Sequence, residues 1–254
     1  MKAIFHRTAA ALLLLTAGLQ ASALSISLPK MTYTARLGYN IGGTAPIGMP
    51  ASIRSMNKYY LQSNFTLGLD VQKDIWGKWG LLTGLRIESK DMKIDATVKN
   101  YHMEMVQGGE SIEGRYTGNL VTECEEVMLT LPVQATFHPT EKVIIKAGPY
   151  VSYVKTREFK GYVYDGYLRE GDPTGPKVEM GNTEDSRATF DFGEHMRKLQ
   201  YGIDVGIDWN FHKRWGVYAD LTWGLNGIHH SDFKTIEQTL YPIFGTFGVS
   251  YKLK

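Results

Sequence analysis

Residues 199–211 read Leu-Gln-Tyr-Gly-Ile-Asp-Val-Gly-Ile-Asp-Trp-Asn-Phe, apolar or aromatic at every odd position and polar or glycine at every even one. Successive side chains of a strand point to opposite sides, so this stretch predicts a ribbon with two chemically opposite faces. At ~3.3 Å per residue and a tilt of about 45°, the stretch is longer than the ~9–11 residues a strand needs to cross a bilayer's apolar band. In lipid a strand must have its backbone groups paired on both sides, which only a closed sheet provides. The expectation is therefore a transmembrane β-barrel.

The same alternation recurs along the chain. Tyr33, Ala35, Leu37, Tyr39 and Ile41 form a first strand, followed by a Gly- and Pro-rich loop over 42–60. Phe65, Leu67, Leu69 and Val71 form a second, ending at the tight turn Trp76-Gly77-Lys78. A third returns through Leu81, Thr83, Leu85 and Ile87 and is expected to project beyond the membrane as far as Val98. A polar loop over 107–118 precedes the fourth, Val127 to Phe137, and a short turn at 138–141 leads to the fifth, through Ile145, Ala147, Val151 and Tyr153. The longest excursion, over 161–192, is rich in Asp, Glu, Gly and Pro and reads as a loop. Residues 199–211 are the sixth strand, Trp215 to Leu225 the seventh, and Tyr241 to Leu253 the eighth. This predicts an all-β, eight-stranded antiparallel up-and-down transmembrane β-barrel, with long loops outside, tight turns inside and both termini on the periplasmic side.

The first residues set the compartment. Lys2 and Arg7 precede the apolar run 9–19, and Ala21-Ser22-Ala23 is a small-residue cleavage site, so residues 1–23 read as a signal peptide and 24–254 as the barrel domain. The expected location is the cell outer membrane. The single cysteine, Cys124, leaves no internal disulfide framework in an exported chain, and an inert thiol is expected there. The net charge of +2 comes from scattered residues, so no nucleic-acid partner is expected.

Alternation alone also suits a soluble barrel, which is apolar inside. The polar parity distinguishes the two, because it is dense in glycine (Gly68, Gly84, Gly148, Gly202, Gly206, Gly216, Gly224, Gly248) where a solvated face would carry Lys and Glu. Small residues suit a narrow lumen, and Trp76, Trp79, Trp209, Phe211 and Trp215 beside the turns suit an interfacial girdle. Pro132, Pro149 and Pro242 fall within proposed strands, where bulges are expected to absorb them.

The loop 42–50, the strand Lys146-Ala-Gly-Pro-Tyr-Val-Ser-Tyr153 and the ending Phe247-Gly-Val-Ser-Tyr-Lys-Leu253 resemble the PorT-like outer-membrane β-barrel proteins of Bacteroidota. That resemblance implies an outer-membrane lipid environment and recognition of the last strand by the barrel-assembly machinery; Lys254 departs from the usual aromatic or apolar ending.

The inward parity carries Arg36, Arg86, Lys146 and Lys252 with Asp70, Glu88, Asp204, Asp208 and Asp220. Two readings stand open. Opposite charges pair into a structural lumen network (Arg36, Asp70, Arg86, Glu88, Lys146, Asp204, Asp220) with Tyr150, Tyr218, Met128 and Phe244 filling the remaining space, or they line an ion path. His229-His230-Ser231-Asp232 contains the residue types of a rim-located lipid hydrolase, but adjacent side chains of an extended chain diverge, and no G-x-S-x-G, H-E-x-x-H, P-loop or dinucleotide fingerprint is present. No enzyme, metal site or cofactor is expected. Tyr162, Tyr164 and Tyr167 among Asp172, Glu179, Glu184 and Asp185 read either as a surface for an extracellular protein or glycan ligand or as a solvated loop. The resulting expectation is a small non-enzymatic barrel with a structural or surface-binding role. A narrow porin and a rim hydrolase are the alternatives.

Overall fold

Alternating sequence becomes alternating exposure. In β10 (Leu199–Trp209) every odd residue faces out and every even residue is buried, and β11 (Trp215–Gly224) repeats the pattern with a single half-buried exception. The computed structural model describes residues 31–236 and 238–253, and the expected signal peptide lies outside the described residues.

The remaining strands are β1 (Met31–Pro46), β2 (Ile53–Tyr60), β3 (Thr66–Trp76), β4 (Trp79–Ser89), β5 (Met92–Gln107), β6 (Glu110–Thr140), β7 (Val143–Glu170), β8 (Lys177–Met180), β9 (Ala188–Asp191) and β12 (Leu240–Lys252). All recorded pairings are antiparallel. Following them from β1 leads through β3, β4, β6, β7, β10, β11 and β12 and back to β1, so these strands form a barrel-like closed sheet with a partner on each side. Val205, for example, stands between Ala147 of β7 and Leu221 of β11.

Outward residues of this lower wall are apolar. Leu37, Leu69, Leu85, Leu131, Val151, Val205, Leu221 and Val249 are all exposed. Its inward face is polar and buried, the reverse of a soluble barrel. At the lower rim Trp79 packs on Phe137 and Trp215 on Tyr251, each with ring centroids 4.8 Å apart, beside the turns that join β3 to β4 and β10 to β11.

Four strands go beyond the expected eight: β2, β5, β8 and β9 lie where loops or a strand extension were anticipated. Residues 92–98 do not prolong β4. The chain leaves β4 at Ser89, and β5 then pairs with the upper half of β6. The anticipated polar loop over 107–118 is instead a hairpin turning on Gly108 and Gly109, whose φ of +60° and +89° suits the two-residue turn that returns strands with the correct twist. Much of the anticipated 161–192 loop is β-structure, with β7 running to Glu170 and both β8 and β9 pairing with it.

The prolines are accommodated without the bulges anticipated for them. Pairing of β6 with β7 passes from Pro132↔Tyr150 to Ala135↔Ala147 with the register unchanged, and Pro149 and Pro242 stand opposite Ile203 and Thr44 in unshifted ladders. The ladder tolerates a missing donor because its flanking pairs hold the register.

β6 runs for 31 residues with its even positions buried from Leu120 to Thr136 and again at Gly114 and Tyr116, yet the chemistry of its two faces exchanges near Glu126. Below that point Leu129, Leu131 and Val133 face outward and Thr130, Gln134 and Thr136 inward. Above it Glu113, Arg115 and Glu123 are on the outward parity, while Tyr116, Leu120 and Cys124 are buried. β7 makes the same exchange across a bulge, where Val127 pairs with Thr156 but Met128 with Val154. Above the bulge Phe159 and Val163 are buried in an apolar core shared with Met103, Met105, Leu168, Phe190 and Phe192. The long strands thus join a lower, inside-polar wall to an upper module packed like a water-soluble domain.

Candidate functional site

The lower wall surrounds a network of buried charges, each delivered by an even position of a strand whose odd positions face out. Arg36 of β1 reaches Asp70 on β3 at 2.7 Å and Asp220 on β11 at 3.0 Å, and also pairs with Asp208 on β10. Arg86 of β4 contacts Asp70 at 3.2 Å, Asp204 at 2.9 Å and Asp220 at 3.5 Å. Lys146 of β7, fully buried, holds Asp208 and Asp220 at 2.8 Å each. The Arg36 guanidinium also stacks 4.2 Å over the Tyr218 ring. Gly206 makes room for this arrangement, since a Cβ there would collide with Asp220 and with the Lys146 chain.

A second group lies nearer the upper module. Glu88 pairs with Lys90 at 3.2 Å and accepts a hydrogen bond from Thr130, and Gln200 donates to Glu126. Phe244, Tyr150 and Met128 are buried at the inner face of the wall, and the Phe244 ring lies 5.8 Å from Lys90 Nζ.

All seven residues of the expected network are buried, as is Asp208. Lys252, also read as inward, is only half-buried and lines a cavity of about 130 Å³ that reaches Arg36 and Asp208. Sequence parity missed Lys90, because it lies in the short break between β4 and β5, and it missed the partnership of Glu126 with Gln200, because those residues are 74 positions apart.

The other sequence candidates disperse. His229 packs its ring against Phe159 and Phe233, both at 4.8 Å, and burial together with His195 and His230 lowers its pKa to about 4. Ser231 and Asp232 are exposed, and among the described residues no recorded hydrogen bond joins Ser231 to a histidine. Nor do three His, Cys, Asp or Glu side chains there group as they would around a metal ion. His195, stacked on Phe233 at 4.8 Å, was not anticipated. Cys124 sits in the upper core, where burial raises its thiol pKa well above the ordinary value.

The tyrosines expected on a loop stand on β7. Tyr164 donates to Asp95 at 2.7 Å, Arg187 lies 4.4 Å over Tyr162, and Lys177 lies 4.7 Å over Tyr167. All three are half-buried on β7, with charged neighbours at Asp95 of β5, Lys177 of β8 and Arg187 just before β9.

Residues 25–230 match the family described as Outer membrane protein beta-barrel domain. The chain belongs to that family. This outer-membrane barrel protein is therefore located in the cell outer membrane. Among solved structures it is similar to Ail, the attachment invasion locus protein of Yersinia pestis, at 9% identity over 88% of this chain and 97% of that one, with a TM-score of 0.36. The NanC porin aligns at 10% identity over 87% and 100% of the two chains, with a TM-score of 0.26. The translocator domain of the autotransporter NalP from Neisseria meningitidis aligns at 11% identity over 97% of each, with a TM-score of 0.25. None of the curated proteins matches this chain.

Proposed function

We propose that this protein is an eight-stranded transmembrane β-barrel of the PorT-like type, matured by removal of residues 1–23, whose lumen is a side-chain plug and whose water-facing module carries a non-enzymatic binding role. The observation that carries this reading is the exchange of polarity along β6 and β7. Apolar outward residues below Glu126 suit lipid, and charged or polar outward residues above it suit water. A slab of membrane ending near Val127 and Tyr153 accounts for both halves of the same strands.

The plug is supported by charge pairing. Arg36, Arg86, Lys146 and Lys90 are matched against Asp70, Asp204, Asp208, Asp220 and Glu88 at ion-pair distances. A narrow barrel with its interior occupied by side chains leaves no continuous water path. The network residues are accordingly structural, and the binding surface is sought on the upper module, in the Tyr162–Tyr164 face and its charged surroundings. The proposed partners are outer-membrane lipid around the lower wall, the barrel-assembly machinery at the last strand, and an extracellular protein or glycan at the upper module.

Planar-bilayer conductance tests the plug, with folding checked on the same sample by heat-modifiable gel mobility. A folded, electrically silent protein is expected. Steady channels whose selectivity changes in Asp204→Asn and Asp220→Asn variants would replace the plug with a narrow porin.

A further inference from the structure

Where the apolar outer face of β1 and β12 ends, the upper module holds an open-mouthed cavity of about 480 Å³. Its wall begins at Gly43 and Ile243, paired neighbours in the β1–β12 ladder and directly above the exposed Ile41, and continues into Met92, Met103, Phe159 and Phe192. The volume lies within the ~300–1,000 Å³ of ligand sites, whereas native cores leave few voids larger than a water molecule. Two polar side chains of the lining are already engaged: Tyr59 Oη donates to the Gly42 carbonyl at 2.7 Å and Thr44 Oγ1 approaches the Met92 sulfur at 3.9 Å. Methionines at the wall and at the exposed mouth, Met49 and Met56, give a lining that adapts to a flexible chain.

One charge stands at this mouth. The β2–β5 pairing shifts between Ile53 and Ser55, leaving Arg54 as the extra residue of a bulge, a device that re-aims side chains. Arg54 is exposed and lines the cavity, and no recorded ion pair among the described residues involves it. As a strand β2 pairs with β5 alone, so the mouth lies beside a strand with one open backbone edge.

We infer that this cavity binds the acyl chain of an anionic amphiphile, with the tail among Met92, Met103, Phe159 and Phe192 and the acidic head on Arg54. The inference rests on the transmembrane reading, which sets the cavity at the outer lipid boundary. Two sources share this chemistry, a free fatty acid and a membrane phospholipid.

The test is photolabelling of the full-length protein in lipid vesicles with a diazirine analogue of palmitic acid and, separately, of a phospholipid, followed by peptide mapping. Label is expected in residues 92–105 and 159–192. Ala96→Phe, which fills the cavity, and the surface change Arg54→Glu should each lower palmitate labelling about tenfold, while Arg54→Glu should leave labelling by the uncharged hexadecanol analogue unchanged. Cavity labelling by palmitate that excess unlabelled palmitate suppresses identifies a free fatty acid, and cavity labelling by the phospholipid probe alone identifies membrane lipid. The inference is overturned if neither probe marks these segments or if neither substitution reduces the label. The phospholipid probe also reads the lower wall. Phospholipid marks around Val205 and Leu221 with no cavity label from either probe overturn the acyl site alone, whereas no phospholipid marks around Val205 and Leu221 overturn the transmembrane reading.

Discussion

Val205→Arg tests the placement of the lower wall in lipid. Val205 is 46% exposed, with outward-facing Ala147 and Leu221 on either side. It lies midway along the 199–211 alternation, six residues from Leu199 and six from Phe211. Six residues at ~3.3 Å each, tilted by about 40°, correspond to a height of ~15 Å, half the thickness of a bilayer's hydrocarbon core. Arginine at that depth costs about 2–4 kcal/mol. With a urea dependence of about 2 kcal/mol per molar, the unfolding midpoint in lipid vesicles should fall by about 1–2 M. The control is Lys155→Glu, at an exposed site just above Tyr153, with an expected change within about 0.5 kcal/mol. Tryptophan fluorescence during reversible urea titration, paired with gel mobility, reads both. If Val205→Arg costs no more than Lys155→Glu, the outward face does not lie in lipid and the assignment of the two halves is wrong.

Lys146→Met removes the ammonium group between Asp208 and Asp220 and leaves buried carboxylates without part of their compensation; a loss of about 3–5 kcal/mol is expected in the same titration. The upper module should weaken in acid. The folded His229 has its pKa lowered to about 4 from the ordinary 6.5 of histidine, so the unfolded chain takes up the proton first, and stability is retained above pH 6.5 and falls as pH drops toward 4. The full depression corresponds to about 3 kcal/mol as an upper value; hydrogen exchange of peptides from β7 and β9 should show the loss, and His229→Phe should abolish that pH dependence. Gly109→Ala puts a side chain at φ +89°, which should cost about 1–2 kcal/mol in the β5–β6 hairpin and speed exchange there, with little change in the lower wall.

The lower wall was legible because each of its strands keeps one period from end to end. In 199–211 no residue breaks parity, so the faces and the inward charges followed directly. Sequence could not supply which charge meets which, because Arg36 and Asp220 are joined only through closure of the sheet, across 184 positions. The upper module was obscured by irregularities that reset parity. One lies between Val98 and Tyr101, where Asn100 takes a φ of +57°, and another separates Thr156 from Val154. Each flips the residues that follow it, as far as the next irregularity, so Met103 and Phe159 lost their register with the strands below. Gly108-Gly109 was the one local signal of the hairpin, and its polar surroundings resembled a loop.

The unbroken length of β6 and β7 also has a mechanical consequence. From Thr156 to Glu170 the β7 chain follows a path of roughly 45 Å beyond the apolar wall, whereas lipid headgroups add only ~5–8 Å on each side of a bilayer. β6 continues over this height as one strand, with a shift in its pairing to β7 between Thr117 and Asn119. A load on the distal hairpin would be resisted as shear across the β6–β7 ladder, and the upper module would behave as a stiff mast whose attitude is set by the tilt of its embedded base.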